Sequence, residues 1–318
     1  MLSLRPKVSI IGCGAVGSRY AYALIMKGLA RQIVMVDTNK KRLRGDVADL
    51  SHGAPYVSKV DIVNGEFSDI EGSDLVVITA GKSILPGQTR LDIAKTNAEV
   101  FKTIIPEIVK YAPRAIFLVV SNPVDVLSYV AYKISGKKEN EVLGSGTVLD
   151  SARLRFLLGQ ECKIDPRNIH AYILGEHGDS EFPVWSKAMV GGSLFKNHCL
   201  TCKDTKTCNH EKKLAAIFSE VKNSAYEIIS DKGETSYGIG LALVRITQGI
   251  LKDENSILPV SYLVNGYLGI KDVYMSLPAV VNSGGVREVL GLDLDKKEQE
   301  DFIASASSIK KVLKEIGF

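Results

Sequence analysis

The chain is poor in cysteine, has no long apolar run and carries little net charge, and each shortage removes a class of protein. Five cysteines in 318 residues do not make a disulfide framework. No apolar run approaches the ~20 residues that a membrane-spanning helix needs. No signal-peptide pattern is visible, because Lys7-Val8-Ser9-Ile10-Ile11 runs straight into a glycine loop. The expectation is a cytoplasmic protein with no membrane partner. The net charge of +4 is too small and dispersed to argue for nucleic acid, although it suits small anions. What is present, 45% hydrophobic and 24% charged residues, is the composition of a globular chain. The length fits about two domains.

Val8-Ser9-Ile10-Ile11 reads as a buried strand. It leads into Gly12-Cys13-Gly14-Ala15-Val16-Gly17, a helical stretch from Val16 to about Leu29, a second strand Ile33-Val34-Met35-Val36, and then Asp37. A glycine triplet alone is a weak signal. Strand, glycine loop, helix, strand and an acid twenty positions after Gly17 form a dinucleotide-binding pattern. Gly12 permits the turn, Gly14 lets backbone N–H groups approach a pyrophosphate at the helix start, and Gly17 lets helix and strand pack. Asp37 suits the adenosine ribose hydroxyls and repels a 2′-phosphate, which favours NAD over NADP.

The βα alternation continues with a helix at Asn39–Leu50 and strands at Val60–Val63, Leu75–Ala80 and Ala115–Val120. Further helices fall at Thr89–Tyr111, with a kink expected at Pro106, and at Pro123–Ser135, with Pro123 in the first turn. This spacing predicts a doubly wound parallel sheet over residues 1–144, with ligands at the carboxyl ends of its strands. Residues 145–318 change texture, and a boundary is expected near Gly144-Ser145-Gly146. Helices are expected at Thr147–Gly159, Lys212–Lys232 and Tyr237–Leu251, and antiparallel strands at Ile257–Asn265 and Val273–Val281. The terminal helix places Phe302, Ile303, Ala306, Ile309, Leu313 and Ile316 on one face. The second half is therefore expected to be an α+β substrate domain.

Gly175-Glu176-His177-Gly178-Asp179 follows the apolar run Ala171-Tyr172-Ile173-Leu174 and holds a histidine at the end of an expected strand. Histidine titrates near neutrality and suits proton transfer. Asp150 and Arg153 lie three apart on an expected helix and so share a face, while Arg155 points elsewhere. An acid and an arginine on one face suit His177 and a carboxylate ligand together. Arg90 closes the loop Lys82–Thr89, which contains Pro86-Gly87 and has the character of a mobile lid.

With these residues in place, the chain resembles the L-lactate/malate dehydrogenase family over essentially its whole length. The motifs that carry the resemblance are Gly12–Gly17, Thr79-Ala80-Gly81, Pro86–Arg90, Ser121-Asn122-Pro123-Val124-Asp125, Gly144–Arg155, Gly175–Asp179 and Thr235–Ile239. Gly144-Ser145-Gly146-Thr147 is closer to the bacterial lactate enzymes than to typical malate enzymes. The resemblance implies that His177 exchanges a proton with the substrate oxygen as hydride moves to or from nicotinamide. It implies that Asp150 orients the imidazole and Arg153 grips the substrate carboxylate, while Arg90 polarises the carbonyl. Asn122 would bind near that oxygen, Thr235 would border the substrate, and Ile239 would pack on the nicotinamide. The implied NAD contacts are Gly12, Gly14, Ala15, Val16, Gly17, Asp37, Thr79, Ala80, Gly81, Asn97, Asn122 and Ile239.

The lid residue that selects the substrate side chain in this family aligns with Ile84. Isoleucine cannot pair a second carboxylate, and burying one unpaired costs about several kcal/mol, which disfavours malate. Pyruvate fits, as do larger apolar 2-oxo acids, and Lys82 is the one nearby cation that would rescue oxaloacetate. Arg155 and His170 match the family's fructose 1,6-bisphosphate positions at a subunit interface, which implies an allosteric homotetramer. Three of five cysteines and two of five histidines fall between His198 and His210. Cys199, Cys202, Cys208 and His210 have metal-ligand spacing, but a polar surface loop with incidental cysteines is the favoured reading, and no metal is expected. The rival functions are malate or L-2-hydroxyisocaproate dehydrogenase, an NAD-dependent glycosidase and a non-catalytic NAD-binding module.

Overall fold

The computed structural model describes residues 6–82, 89–195 and 210–318, without the side chains of Arg90 and His210. The first half runs β1 (Lys7–Ile11), α1 (Ala15–Lys27), β2 (Gln32–Val36), α2 (Lys40–His52), β3 (Asp61–Asn64), β4 (Leu75–Ile78), α3 (Arg90–Tyr111), β5 (Ile116–Val119), α4 (Val124–Ser135) and β6 (Val142–Gly144). Local chemistry sets the ends. Gly28 closes α1 in the left-handed conformation, the Asn39 side chain caps α2, and Thr89 and Asp92 form a reciprocal capping box on α3.

The second half opens with α5 (Val148–Cys162) and five short strands, β7 (Ile169–His170), β8 (Ile173–Leu174), β9 (Phe182–Pro183), β10 (Met189–Val190) and β11 (Ser193–Leu194). It continues with α6 (His210–Lys232), α7 (Tyr237–Leu251), β12 (Ser256–Asn265), β13 (Lys271–Asn282), β14 (Gly285–Val289) and α8 (Lys296–Glu315).

The main sheet has nine strands in the order β14-β13-β12-β6-β5-β4-β1-β2-β3. From β6 to β3 every pairing is parallel. Strand order reverses between β1 and β4, which opens the crevice where ligands of such sheets bind. The antiparallel strands of the second half extend this same sheet, because β12 pairs with β6 through Ser261 and Gly144. One apolar layer joins the sheet to α3, α4 and α8 through Phe101, Ile105, Leu127, Val130, Phe302 and Ile309. The other joins it to α1, α2 and α7 through Tyr20, Leu24, Leu43, Leu243 and Ile246.

Several expectations change in detail. α3 contains Pro106 within one helix, as the stretch Thr89–Tyr111 predicts, whereas Pro123 is the N-cap of α4 rather than a first-turn residue. The run Ala171–Leu174 contributes only its last two residues to β8, and β4 ends at Ile78, two residues before Ala80. Ile303 is 44% exposed, because a position next to Phe302 turns away from the buried stripe of α8.

Phe302 is fully buried, with its ring perpendicular to those of Phe182 and Tyr267 at centroid distances of 6.5 and 5.2 Å. Phe302→Ala is expected to destabilise the protein by ~3–5 kcal/mol, read from urea unfolding at fixed protein concentration.

Candidate active site

The glycine loop has the geometry of a phosphate cradle. Gly12 has φ +96°, and a side chain there would meet the Ala80 backbone at 2.5 Å. A Cβ on Gly17 would collide with the Gly12 carbonyl, whereas one on Gly14 would meet nothing within 4 Å. The loop is thus closed where helix and strand pack and open where a pyrophosphate would lie. α1 begins at Ala15 and Val16 with no side-chain cap, so its first N–H groups are available to an anion. Asp37 follows β2. Its carboxylate accepts from the Cys13 N–H at 2.6 Å and the Asn39 N–H at 2.8 Å, which ties it to the glycine loop. The Thr79 hydroxyl donates to the Gly12 carbonyl, joining the ends of β1 and β4. These residues fit a dinucleotide with a free adenosine ribose.

Asn97 is buried, and its amide is engaged by backbone. It accepts from the Lys82 N–H at 2.8 Å and donates to the carbonyls of Lys82 and Asn122 at 3.1 and 2.8 Å. It braces the Gly81-Lys82 loop against the Asn122 loop. Asn122 itself is exposed, and Thr235 and Ile239 are half-buried at the approach to α7 and in its first turn.

The histidine is held by its neighbours. Gly175 exchanges two backbone hydrogen bonds with Ser276 on β13. The Glu176 N–H donates to Ser305 Oγ on α8 at 2.7 Å, and the His177 N–H donates to Asp125 Oδ2 at 2.7 Å. Asp125, in the first turn of α4, also accepts from Ser261 Oγ at 2.5 Å. With its backbone fixed, His177 brings Nδ1 to 2.6 Å from Asp150 Oδ2. Arg153 occupies the other Asp150 oxygen at 2.8 Å. One turn of α5 thus supplies an acid to the imidazole and a cation beside it.

Burial disfavours the imidazolium, but the Asp150 charge and hydrogen bond, aided by Glu181 and Asp125, outweigh it and push His177 up to about 9. Burial also opposes the Asp150 carboxylate. His177 and Arg153 nevertheless hold it below the usual carboxylate range. Asp125 moves the other way, pushed up to about 7 by burial against its hydrogen bonds from Ser261 and His177. With Nδ1 taken by Asp150, Nε2 is the ring nitrogen free to exchange a proton with a ligand.

The structure therefore brings His177, Asp150 and Arg153 together, and it sets the residues of the glycine loop around the crevice. Arg155 lies on another side of α5, donating from Nε to the Ser151 carbonyl at 3.3 Å, and His170 is exposed on β7. Arg90 is the first residue of α3, and its side chain lies outside the described residues. Ile84, Cys199, Cys202 and Cys208 lie outside them as well. The acids that flank His177 in sequence are not those that govern its ring. The Glu176 carboxylate accepts from Ser180 Oγ at 2.5 Å, and the Asp179 carbonyl accepts from Lys222 at 2.7 Å. Asp125, Ser261 and Glu181 are the contributors that sequence spacing does not single out. Only Asp125 stood inside a recognisable motif.

A phosphate-cradling sheet crevice beside a carboxylate–imidazole pair defines an NAD-dependent oxidoreductase. Residues 6–144 match the lactate/malate dehydrogenase NAD-binding domain, and residues 147–317 match the lactate/malate dehydrogenase alpha/beta C-terminal domain. The chain belongs to the lactate/malate dehydrogenase family. It is 48% identical over 311 residues to L-lactate dehydrogenase 1 of Clostridium acetobutylicum, covering 98% of each chain. It is 47% identical over 310 residues to L-lactate dehydrogenase of Thermoanaerobacterium saccharolyticum, covering 98% of this chain and 99% of that one. Among solved structures it is similar to a lactate dehydrogenase from a Medee basin deep-sea metagenome library, with a TM-score of 0.94, 44% identity and full coverage of both chains. It is likewise similar to the minor L-lactate dehydrogenase of Enterococcus mundtii, at a TM-score of 0.94, 39% identity and 98% coverage of each chain.

Because His177 binds its proton more tightly in the folded state, the ion pair contributes fully below the unfolded histidine value near 6.5 and fades as pH rises through about 9. The stability difference between wild type and His177→Gln is expected to shrink by about 3 kcal/mol across that window, read from urea unfolding at several pH values.

Proposed function

We propose that the protein interconverts pyruvate and L-lactate, using NAD. The observation that carries this reading is the Asp150 carboxylate shared between His177 and Arg153. The bound nicotinamide supplies the hydride acceptor and donor. The chain supplies the rest. His177 gives a proton from Nε2 to the keto oxygen during reduction and takes it back from the hydroxyl during oxidation. Asp150 keeps the ring oriented and steadies its cation. Arg153 grips the substrate carboxylate with its remaining N–H donors, a planar two-pronged fit that lysine does not reproduce. Arg90 steadies the charge that develops on the substrate oxygen, Asn122 binds near that oxygen, and Thr235 borders the substrate. Ile239 packs against the nicotinamide.

Substrate choice is assigned to Ile84, whose apolar side chain favours pyruvate over the dicarboxylate oxaloacetate. The names of the similar proteins support the same choice. A malate-type or L-2-hydroxyisocaproate-type preference would show directly as relative kcat/KM.

We further propose a cytoplasmic homotetramer that binds fructose 1,6-bisphosphate through Arg155 and His170. Tyr22 and Met26 on α1 and Leu241 on α7 are 57%, 58% and 59% exposed, which suits burial against another copy. Arg155 lies near Arg245, with burial and that like charge both disfavouring its cation, so a multivalent anion would relieve the site.

With NADH, kcat/KM for pyruvate is expected to exceed that for oxaloacetate by at least about 100-fold, and a ratio below one would sink the pyruvate reading. Arg153→Lys is expected to raise the pyruvate KM about 100-fold while leaving NADH affinity within about twofold, measured by fluorescence titration. Fructose 1,6-bisphosphate is expected to lower the pyruvate KM in wild type and not in Arg155→Gln, and an unmoved wild-type KM removes the effector site.

A further inference from the structure

Glu181 is a buried acid that the reaction scheme above does not use. It is only 7% exposed, and no described residue hydrogen-bonds its carboxyl or forms an ion pair with it. One of its carboxylate oxygens, one of Asp150 and a ring nitrogen of His177 all lie within 4.8 Å of one another. The charged groups facing it are Asp150 and Arg153 from α5, His177 from its own loop and Lys222 from α6. Each cation already has another partner. Arg153 is bonded to Asp150, His177 to the same carboxylate, and Lys222 to the Asp179 carbonyl. Asp125 approaches from α4 and is held on the His177 backbone.

Two carboxylates whose oxygens lie within 4.8 Å of each other and of the same imidazole do not both ionise freely. Asp150 is the ionised one, because it has both cations. Glu181 is left as the acid, and burial followed by the Asp150 charge drives its proton affinity upward. Arg153, protonated His177 and Lys222 outweigh Asp150 and give the site a net positive charge that suits a substrate carboxylate. An ionised Glu181 lowers that charge by one.

We infer that Glu181 tunes the charge of the substrate pocket: the pocket binds a 2-oxo or 2-hydroxy acid more tightly when this carboxyl holds a proton than when it has lost it. When that proton leaves to solvent, the new anion repels the substrate carboxylate and tightens the hold of His177 on its own proton. Glu181 acts through the substrate's charge and through His177, and it is a positioning residue rather than a proton donor to substrate. The inference rests on the pyruvate–lactate reading for its substrate and on the geometry for its effect on His177.

The test compares wild type with Glu181→Gln, which is neutral at every pH, in both reaction directions from about pH 7 to about pH 10. The ratio of wild-type to variant KM for lactate is expected to rise at least about tenfold across that range. The midpoint of His177, followed among the five imidazoles by NMR, is expected to fall in the variant. Glu181→Met, also neutral, gives the same shifts and replaces Glu181→Gln if that variant does not fold. A constant KM ratio with an unmoved His177 midpoint overturns the inference, and so does an equal loss of activity at every pH. If wild type turns over neither substrate, the pyruvate–lactate reading fails and the NMR midpoint alone decides the role of Glu181.

Discussion

The 2.6 Å contact between His177 Nδ1 and Asp150 Oδ2 is the constraint on which the rest of the molecule depends. An aspartate that is 2% exposed loses most of its hydration, and its charge is tolerable only beside cations. His177 and Arg153 supply them, each on its own carboxylate oxygen. In return, the imidazole is fixed as to which nitrogen is engaged and which is free. That arrangement works only if the backbone of His177 does not move. The structure holds it from three sides, through Asp125 on α4, Ser276 on β13 and Ser305 on α8.

The same bonds weld the two halves of the chain. Ser261 pairs with Gly144 in the sheet and donates its hydroxyl to Asp125. Asp125 belongs to the nucleotide half and carries the His177 N–H. A strand of the second half therefore braces the acid that braces the histidine. The continuous nine-stranded sheet is the mechanical reason that a cofactor crevice and an acid–base pair, encoded more than a hundred residues apart, keep a fixed relation.

The electrostatics follow from crowding. Asp150, Asp125 and Glu181 all act on one imidazole, with Arg153 as the fixed cation among them. Groups this close share protons rather than ionise independently. Asp150 stays charged, Asp125 and Glu181 are pushed upward, and His177 keeps its proton well past neutrality.

The sequence alone determined the glycine loop, Asp37, the order of strands and helices in the first half, and the α5 pairing of Asp150 with Arg153. These are legible because they rest on periods of two and of 3.6 and on local turns, which the chain states within a few residues. It also marked His177, because a histidine between two glycines after an apolar run is locally unusual. Only the tertiary structure decided which acids surround that histidine. Glu176 and Asp179 are its sequence neighbours, yet Asp150, Asp125 and Glu181 govern its proton. Asp125 comes from 52 residues away and Ser261 from 136 residues beyond Asp125. Burial and charge depend on what packs across a gap. A linear pattern carries the direction of a side chain on its own helix or strand, but not the identity of the group that meets it from another.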